Sequence, residues 1–230
     1  AIAALADPED SDGDGISGRV NMVWDPRVEQ FVPGRFGWKA NTPDLELQAA
    51  DAYFNDMGIT SRLHPNADGT AELPDDDLAA TVFYTRSLAV PARDANAVGD
   101  VRTGEALFAS MDCIACHATG LRTGDSPIAS VANQTIQPYS DLLLHDMGDG
   151  LADGRGDFEA DGREWRTTPL WGLGLVQTVL PGAGYLHDGR ARNIEEAILW
   201  HDGEAASSRD AYAAAPAGER EALQAFLRSL

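Results

Sequence analysis

The sequence predicts a mainly α-helical chain. Apolar and small residues recur at helical spacing in several segments, while glycine, proline and aspartate punctuate the stretches between them. No run alternates cleanly enough to be assigned as a strand. The 230 residues, 43% of them hydrophobic, suffice for one or two domains with an adequate core.

In chain order, a first helix is expected from about Asp44 to Asp56, with Leu45, Ala49, Ala52 and Tyr53 on one side. A second, about Asp75 to Leu88, follows Pro74 with three aspartates that suit the positive end of a helix. The polar stretch Ala92 to Val101, after Pro91, reads as a connection dividing the chain into residues 1–97 and 98–230. Gly104, Leu107 and Phe108 share a face of a third helix, Val101 to Ser110. Asn193 caps a short fourth helix with Glu195 and Glu196 at its start and Gly203 past its end. A last helix begins near Pro216 and presents Leu223, Phe226, Leu227 and Leu230 along one stripe. The long insert before the short helix, with runs such as Gly148 to Asp157, reads mostly as loop.

The two cysteines of the chain fall in Cys113-Ile114-Ala115-Cys116-His117. This spacing suits covalent attachment of a c-type haem: each thiol forms a thioether to one vinyl group, and the adjacent histidine ligates the iron. A redox-active dithiol or half of a zinc site is the alternative reading. The helix before the motif, with the one at the C-terminus, makes a cytochrome c-like pair. Attachment of this kind takes place outside the cytoplasm, so a periplasmic or extracellular location is expected.

His201 closes an apolar stripe formed by Ile194, Ala197 and Ile198. A polar group aimed into such surroundings needs a partner, either iron or a hydrogen bond at the helix end. The formal charge of −20, with Lys39 the only lysine among 17 basic residues, argues against nucleic acid and anionic lipid as partners. No apolar run approaches the ~20 residues of a membrane span. The acidic surface could steer a basic redox protein or simply solvate the chain. Near the N-terminus, Asp10, Asp12 and Asp14 with Gly13 and Gly15 copy the opening of a calcium loop, but Asn21 stands where an EF-hand closes with glutamate. Solvated aspartates are the plainer reading.

Four segments together resemble the bacterial di-haem cytochrome c peroxidase superfamily, most closely its di-haem oxidoreductase branch: Gly104 to His117, Pro138 to Arg155, Arg163 to Leu175 and Tyr185 to Glu204. The resemblance implies a C-terminal cytochrome c-like haem domain with a loop-rich insert, preceded by part of a second such domain. In that superfamily the sixth iron ligand lies fourteen positions after the histidine of a His-Asp-Gly turn. Counted from His187 in His187-Asp188-Gly189-Arg190, that position is His201. Bis-histidine ligation by His117 and His201 is thus implied, with His187 and Arg190 beside the haem and Met147 and Met111 as rival ligands.

Similarly, Phe36 to Ala40, Asp44 to Gln48 and Asn55 to Gly58 resemble the second half of a peroxidatic domain, which implies Trp38 as an electron relay and Asp56 as the acid or base that assists peroxide cleavage. A core tryptophan and a helix-end aspartate are the bland alternatives. Aspartate stands where relatives carry the longer glutamate. The resemblance also implies a calcium ion with Asn21 as a ligand, although Gly182 and Gly184 replace other calcium contacts. The superfamily's first Cys-x-x-Cys-His has no counterpart before these segments, so the sequence, opening at Ala1, is expected to be a processed product or a piece of a larger protein. The expected function is a one-haem electron-transfer unit, exchanging electrons with a redox protein or small donor and with a peroxide-reactive haem on another segment or chain. A stand-alone mono-haem electron carrier is the alternative.

Overall fold

The computed structural model describes Ala1–Leu230 as seven α-helices and three two-stranded antiparallel sheets. Helix covers 36% of the residues and strand 12%, so the fold is mixed α/β and the mainly α expectation is corrected. The strands are two to four residues long, too short to leave a readable alternation in the sequence.

The first sheet is a hairpin of β1 (Met22–Asp25) and β2 (Gln30–Pro33), with Val23 opposite Val32 and Asp25 opposite Gln30. Val23 is fully buried, whereas Trp24 and Phe31 meet edge to face on the exposed side, 5.5 Å between centres. Helix α1 (Leu45–Met57) starts at Asp44, whose carboxylate accepts from the Glu46 and Leu47 N–H groups, and stops at Gly58. Arg27 ties the hairpin to this helix start by pairing with Asp25, Asp44 and Glu46. Helix α2 (Asp75–Ser87) packs on α1 through Ala50, Leu78 and Val82.

Helix α3 (Val101–Ser110), capped by Asp100, leads into a single 3-10 turn at Cys113–Ala115. The insert folds into two short pairs: β3 (Leu121–Arg122) with β4 (Thr135–Ile136), and β5 (Leu144–Asp146) with β6 (Glu164–Arg166). Helices α4 (Val176–Val179), α5 (Ile194–Leu199), α6 (Ala206–Ala214) and α7 (Ala217–Arg228) complete the chain.

The main core forms where α3 meets α7. A Cβ on Gly104 would come 2.0 Å from the Ala222 carbonyl oxygen, so glycine is what lets the two backbones approach. Beside that contact Phe108, Tyr139 and Phe226 pack ring against ring, with centres 5.3–6.0 Å apart. Burying a side chain such as Phe226, fully removed from water, contributes roughly 2–3 kcal/mol. Residues 1–97 are joined to the rest by Arg19 with Glu164, Lys39 with Asp153, and Ser17 with Glu204. Asn21 is 1% exposed: its amide N–H groups donate to the Lys39 and Asp157 carbonyls, and its oxygen accepts from the Glu159 N–H.

Gly104→Ala should lower unfolding stability by about 2 kcal/mol or more, because the added methyl meets main chain rather than a movable side chain; urea denaturation reads the loss. Arg27 generates a second expectation. Its hydrogen bonds hold the Asp25 carboxyl below the usual carboxylate range; at Asp44 burial opposes the charge, but Arg27 and the helix-start N–H groups outweigh it. The stability linked to these lowered values is complete above the ordinary carboxylate pKa of about 4 and is lost as pH falls through them. Arg27→Met should therefore cost about 2 kcal/mol at neutral pH and move the onset of acid unfolding to higher pH, followed by circular dichroism.

Candidate functional site

Just past the C-terminus of α3 the chain turns sharply, and the His117 N–H donates to the Cys113 carbonyl at 2.9 Å. His117 packs beside Phe108, and its Nδ1 lies 2.8 Å from the Tyr139 carbonyl oxygen. His201 follows α5 directly, with Nδ1 2.7 Å from the Ala197 carbonyl oxygen. A carbonyl oxygen only accepts, so each ring carries its proton on Nδ1 and leaves Nε2 with a free lone pair. Burial holds both imidazoles neutral, pushing His117 down to about 4 and His201 in the same direction.

The two ring centres are 6.4 Å apart. Two imidazoles that ligate one metal ion from opposite sides, at about 2.0 Å per bond, have centres about 6 Å apart. Both histidines line a cavity of about 420 Å³, together with Cys113 and Cys116. Its walls are largely apolar, with Phe108, Leu170, Ile198 and Leu227 among them, as a flat apolar cofactor requires. Two thiols, two neutral imidazoles and apolar walls around one space fit a covalently held haem.

Arg166, at the end of β6, lines the same cavity. Its Nε donates to the Gly37 carbonyl at 2.8 Å and Nη1 to that of Thr167 at 3.3 Å, and no carboxylate pairs with it. Burial lowers its pKa. His187 also faces the cavity, stacked on Trp165 at 3.6 Å and 12°; its Nε2 is 3.8 Å from Asp188. Arg190 instead pairs with Asp188 and the Gly150 carbonyl, and lies over Trp200 outside the cavity. Met147 lines the cavity, whereas Met111 is packed into the main core.

A second, polar cavity of about 380 Å³ adjoins the first, since Trp38, Trp165 and His187 line both. Asp56 lines only the second, near the end of α1. Trp38 is 51% exposed, while Lys39 is buried and binds Asp153 and two carbonyls, with Nζ 4.6 Å from the Trp165 ring centre. At the N-terminus the Asp10, Asp12 and Asp14 carboxylates lie within 4.8 Å of one another, each accepting a main-chain N–H of its own loop. Asn21 is engaged elsewhere, as the clip between Lys39, Asp157 and Glu159.

Sequence reasoning passed over His145, Arg166 and Trp165. His145 is 3% exposed, with Nε2 2.8 Å from Asp141 Oδ2 and Nδ1 2.7 Å from Glu204 Oε2, and it lines the first cavity. The spacing Asp141-x-x-x-His145 is helix-like, yet a turn through Leu142 at φ 64° and the start of β5 bring the pair together, so periodicity gave no signal.

Among curated proteins none matches this chain. Hydrazine synthase from Kuenenia stuttgartiensis, solved under 20 bar of xenon, aligns with a TM-score of 0.47 and 19% identity over 80% of this chain and 60% of that one, so this chain spans less than two thirds of its length. The profile of a family described as "di-haem oxidoreductase, putative peroxidase" matches residues 1–76 and 66–230. With its Cys-x-x-Cys-His motif inside the second match, this chain belongs to the di-haem oxidoreductase family.

Proposed function

We propose that the chain is the c-type haem electron-transfer unit of a peroxidase-like oxidoreductase, passing electrons between an external redox partner and a second haem that reacts with peroxide. The observation that carries this reading is the pair of neutral imidazoles, 6.4 Å apart across one cavity with two thiols at its edge. Cys113 and Cys116 would hold the haem, and His117 and His201 would ligate its iron through Nε2. When bound there, the haem supplies reversible one-electron chemistry at an iron with no open coordination site.

The remaining steps belong to side chains. The Tyr139 and Ala197 carbonyls keep the Nε2 lone pairs pointed inward, and the apolar walls exclude water. Arg166 offers its guanidinium to a cofactor carboxylate. Trp38 and Trp165, which line both cavities, give the electron an aromatic route toward the second one. There Asp56 would hold or move a proton at its carboxyl oxygen, and a haem supplied by another segment or chain would supply the chemistry toward peroxide. Covalent attachment implies that assembly takes place in the periplasm or outside the cell. No helix is long and apolar enough to cross a membrane.

His201→Ala should convert a low-spin spectrum into a high-spin one with an exchangeable sixth site, read by visible absorption and by cyanide binding. An unchanged low-spin spectrum would remove His201 as ligand and turn attention to Met147. For peroxide added to the reduced chain by itself, this reading and the mono-haem carrier alternative both predict slow bleaching without turnover. Rapid, stoichiometric and repeatable reoxidation would place the peroxide chemistry within this chain.

A further inference from the structure

His145 has no part in the electron route above, yet it is among the most enclosed side chains of the molecule. Both of its ring nitrogens are within 2.8 Å of carboxylate oxygens, of Asp141 on one side and Glu204 on the other. A carboxylate only accepts at neutral pH, so both nitrogens must carry protons and the ring is an imidazolium. Burial works against that charge, but the hydrogen bonds to Asp141, Cys116 and Glu204 outweigh it and hold the His145 pKa far above the ordinary imidazole range. Its Nδ1 is also 3.6 Å from Cys116 Sγ.

The carboxylates are anchored in turn. The Asp141 N–H donates to the Cys116 carbonyl at 2.9 Å, and the Asp141 side chain accepts from the Leu143 N–H. Glu204 accepts from the Ser17 hydroxyl at 2.7 Å and from the Ser17 N–H at 3.1 Å. Glycine at position 203, with φ 57°, sets the Glu204 backbone against the Asp146 carbonyl, which a Cβ there would approach to 2.3 Å. The charge chain therefore joins the N-terminal segment, the insert, the cysteine motif and the stretch just after His201.

We infer that His145 is a positioning residue for the haem attachment: clamped between Asp141 and Glu204, it places a buried positive charge against the Cys116 sulfur and so helps set the iron's reduction potential. The inference rests on the haem reading proposed above. Hydrogen bonds and charges around attachment and ligand atoms tune haem potentials, and burial strengthens the effect because little water screens it. The two ends of the pair should act with opposite sign. Removing the cation stabilises ferric iron, and removing an anion stabilises ferrous iron.

The test uses the full chain matured with haem, as wild type, His145→Gln and Glu204→Gln, each keeping a side chain able to hydrogen-bond. Pyridine haemochrome analysis first counts haem per chain, and a spectroelectrochemical titration then gives each midpoint potential. The expected result is a lower midpoint for His145→Gln and a higher one for Glu204→Gln. Each should change the reduction equilibrium by about tenfold, which is 59 mV for one electron. Shifts in the same direction would mean that both variants merely disturb packing and would overturn the inference, as would two unmoved potentials. A wild-type chain that takes up no haem would instead retire the haem reading itself.

Discussion

Everything at the first cavity depends on the direction in which two imidazoles present their lone pairs, and two main-chain carbonyls decide it. The Tyr139 oxygen accepts from Nδ1–H of His117 and the Ala197 oxygen from Nδ1–H of His201, which leaves both Nε2 atoms with free lone pairs. The Ala197 carbonyl belongs to α5 and lies one helical turn before His201, so the helix that delivers the histidine also orients it. The Tyr139 carbonyl comes from the insert, at a residue with φ 51° whose own ring packs against Phe108 and Phe226. Core packing at the crossing of α3 and α7 and the orientation of the His117 ring are thus one arrangement, and a fault at Gly104 would reach the cavity through the aromatic contacts.

Five of the seven helices are legible in the sequence because their signals are local, while α4 and α6 carry none strong enough. Asp44, Asp100 and Asn193 each accept an N–H in the first turn of the helix they precede, and helices follow all three. The cysteine motif stands out by its spacing and His201 by closing an apolar helix face, and the fold brings them to one cavity. The paired strands β5 and β6 are not legible, since three residues each leave no period to read and their partners lie about twenty positions apart. That sheet is what sets His145 opposite Trp165 and carries Arg166 to the cavity, so the residues missed from sequence are those that long-range pairing delivers.

Charge gives a further view of the same limit. In a chain of net charge −20 most arginines find a carboxylate, and Arg27 finds three. Near the cavities the pattern differs by residue. Lys39 is enclosed by Asp153 and two carbonyls, His145 by two carboxylates, and Arg166 by carbonyls alone. A buried cation among carbonyls is partly solvated but not neutralised. Arg166 is therefore the cation of this cavity with charge left to offer, which is why a carboxylate-bearing cofactor suits it.

The two cavities differ in the chemistry their walls allow. The first has two thiols, two neutral imidazoles and largely apolar sides, a set that would hold a haem through its thiols and ring nitrogens. The second is polar, holds Asp56, and lies against the partly exposed Trp38. Electron storage and bond cleavage make opposite demands: a saturated iron in a dry pocket favours the former, an accessible site with a proton carrier the latter. Trp38, Trp165 and His187 form a wall common to both cavities, so these two environments meet across the thickness of aromatic side chains.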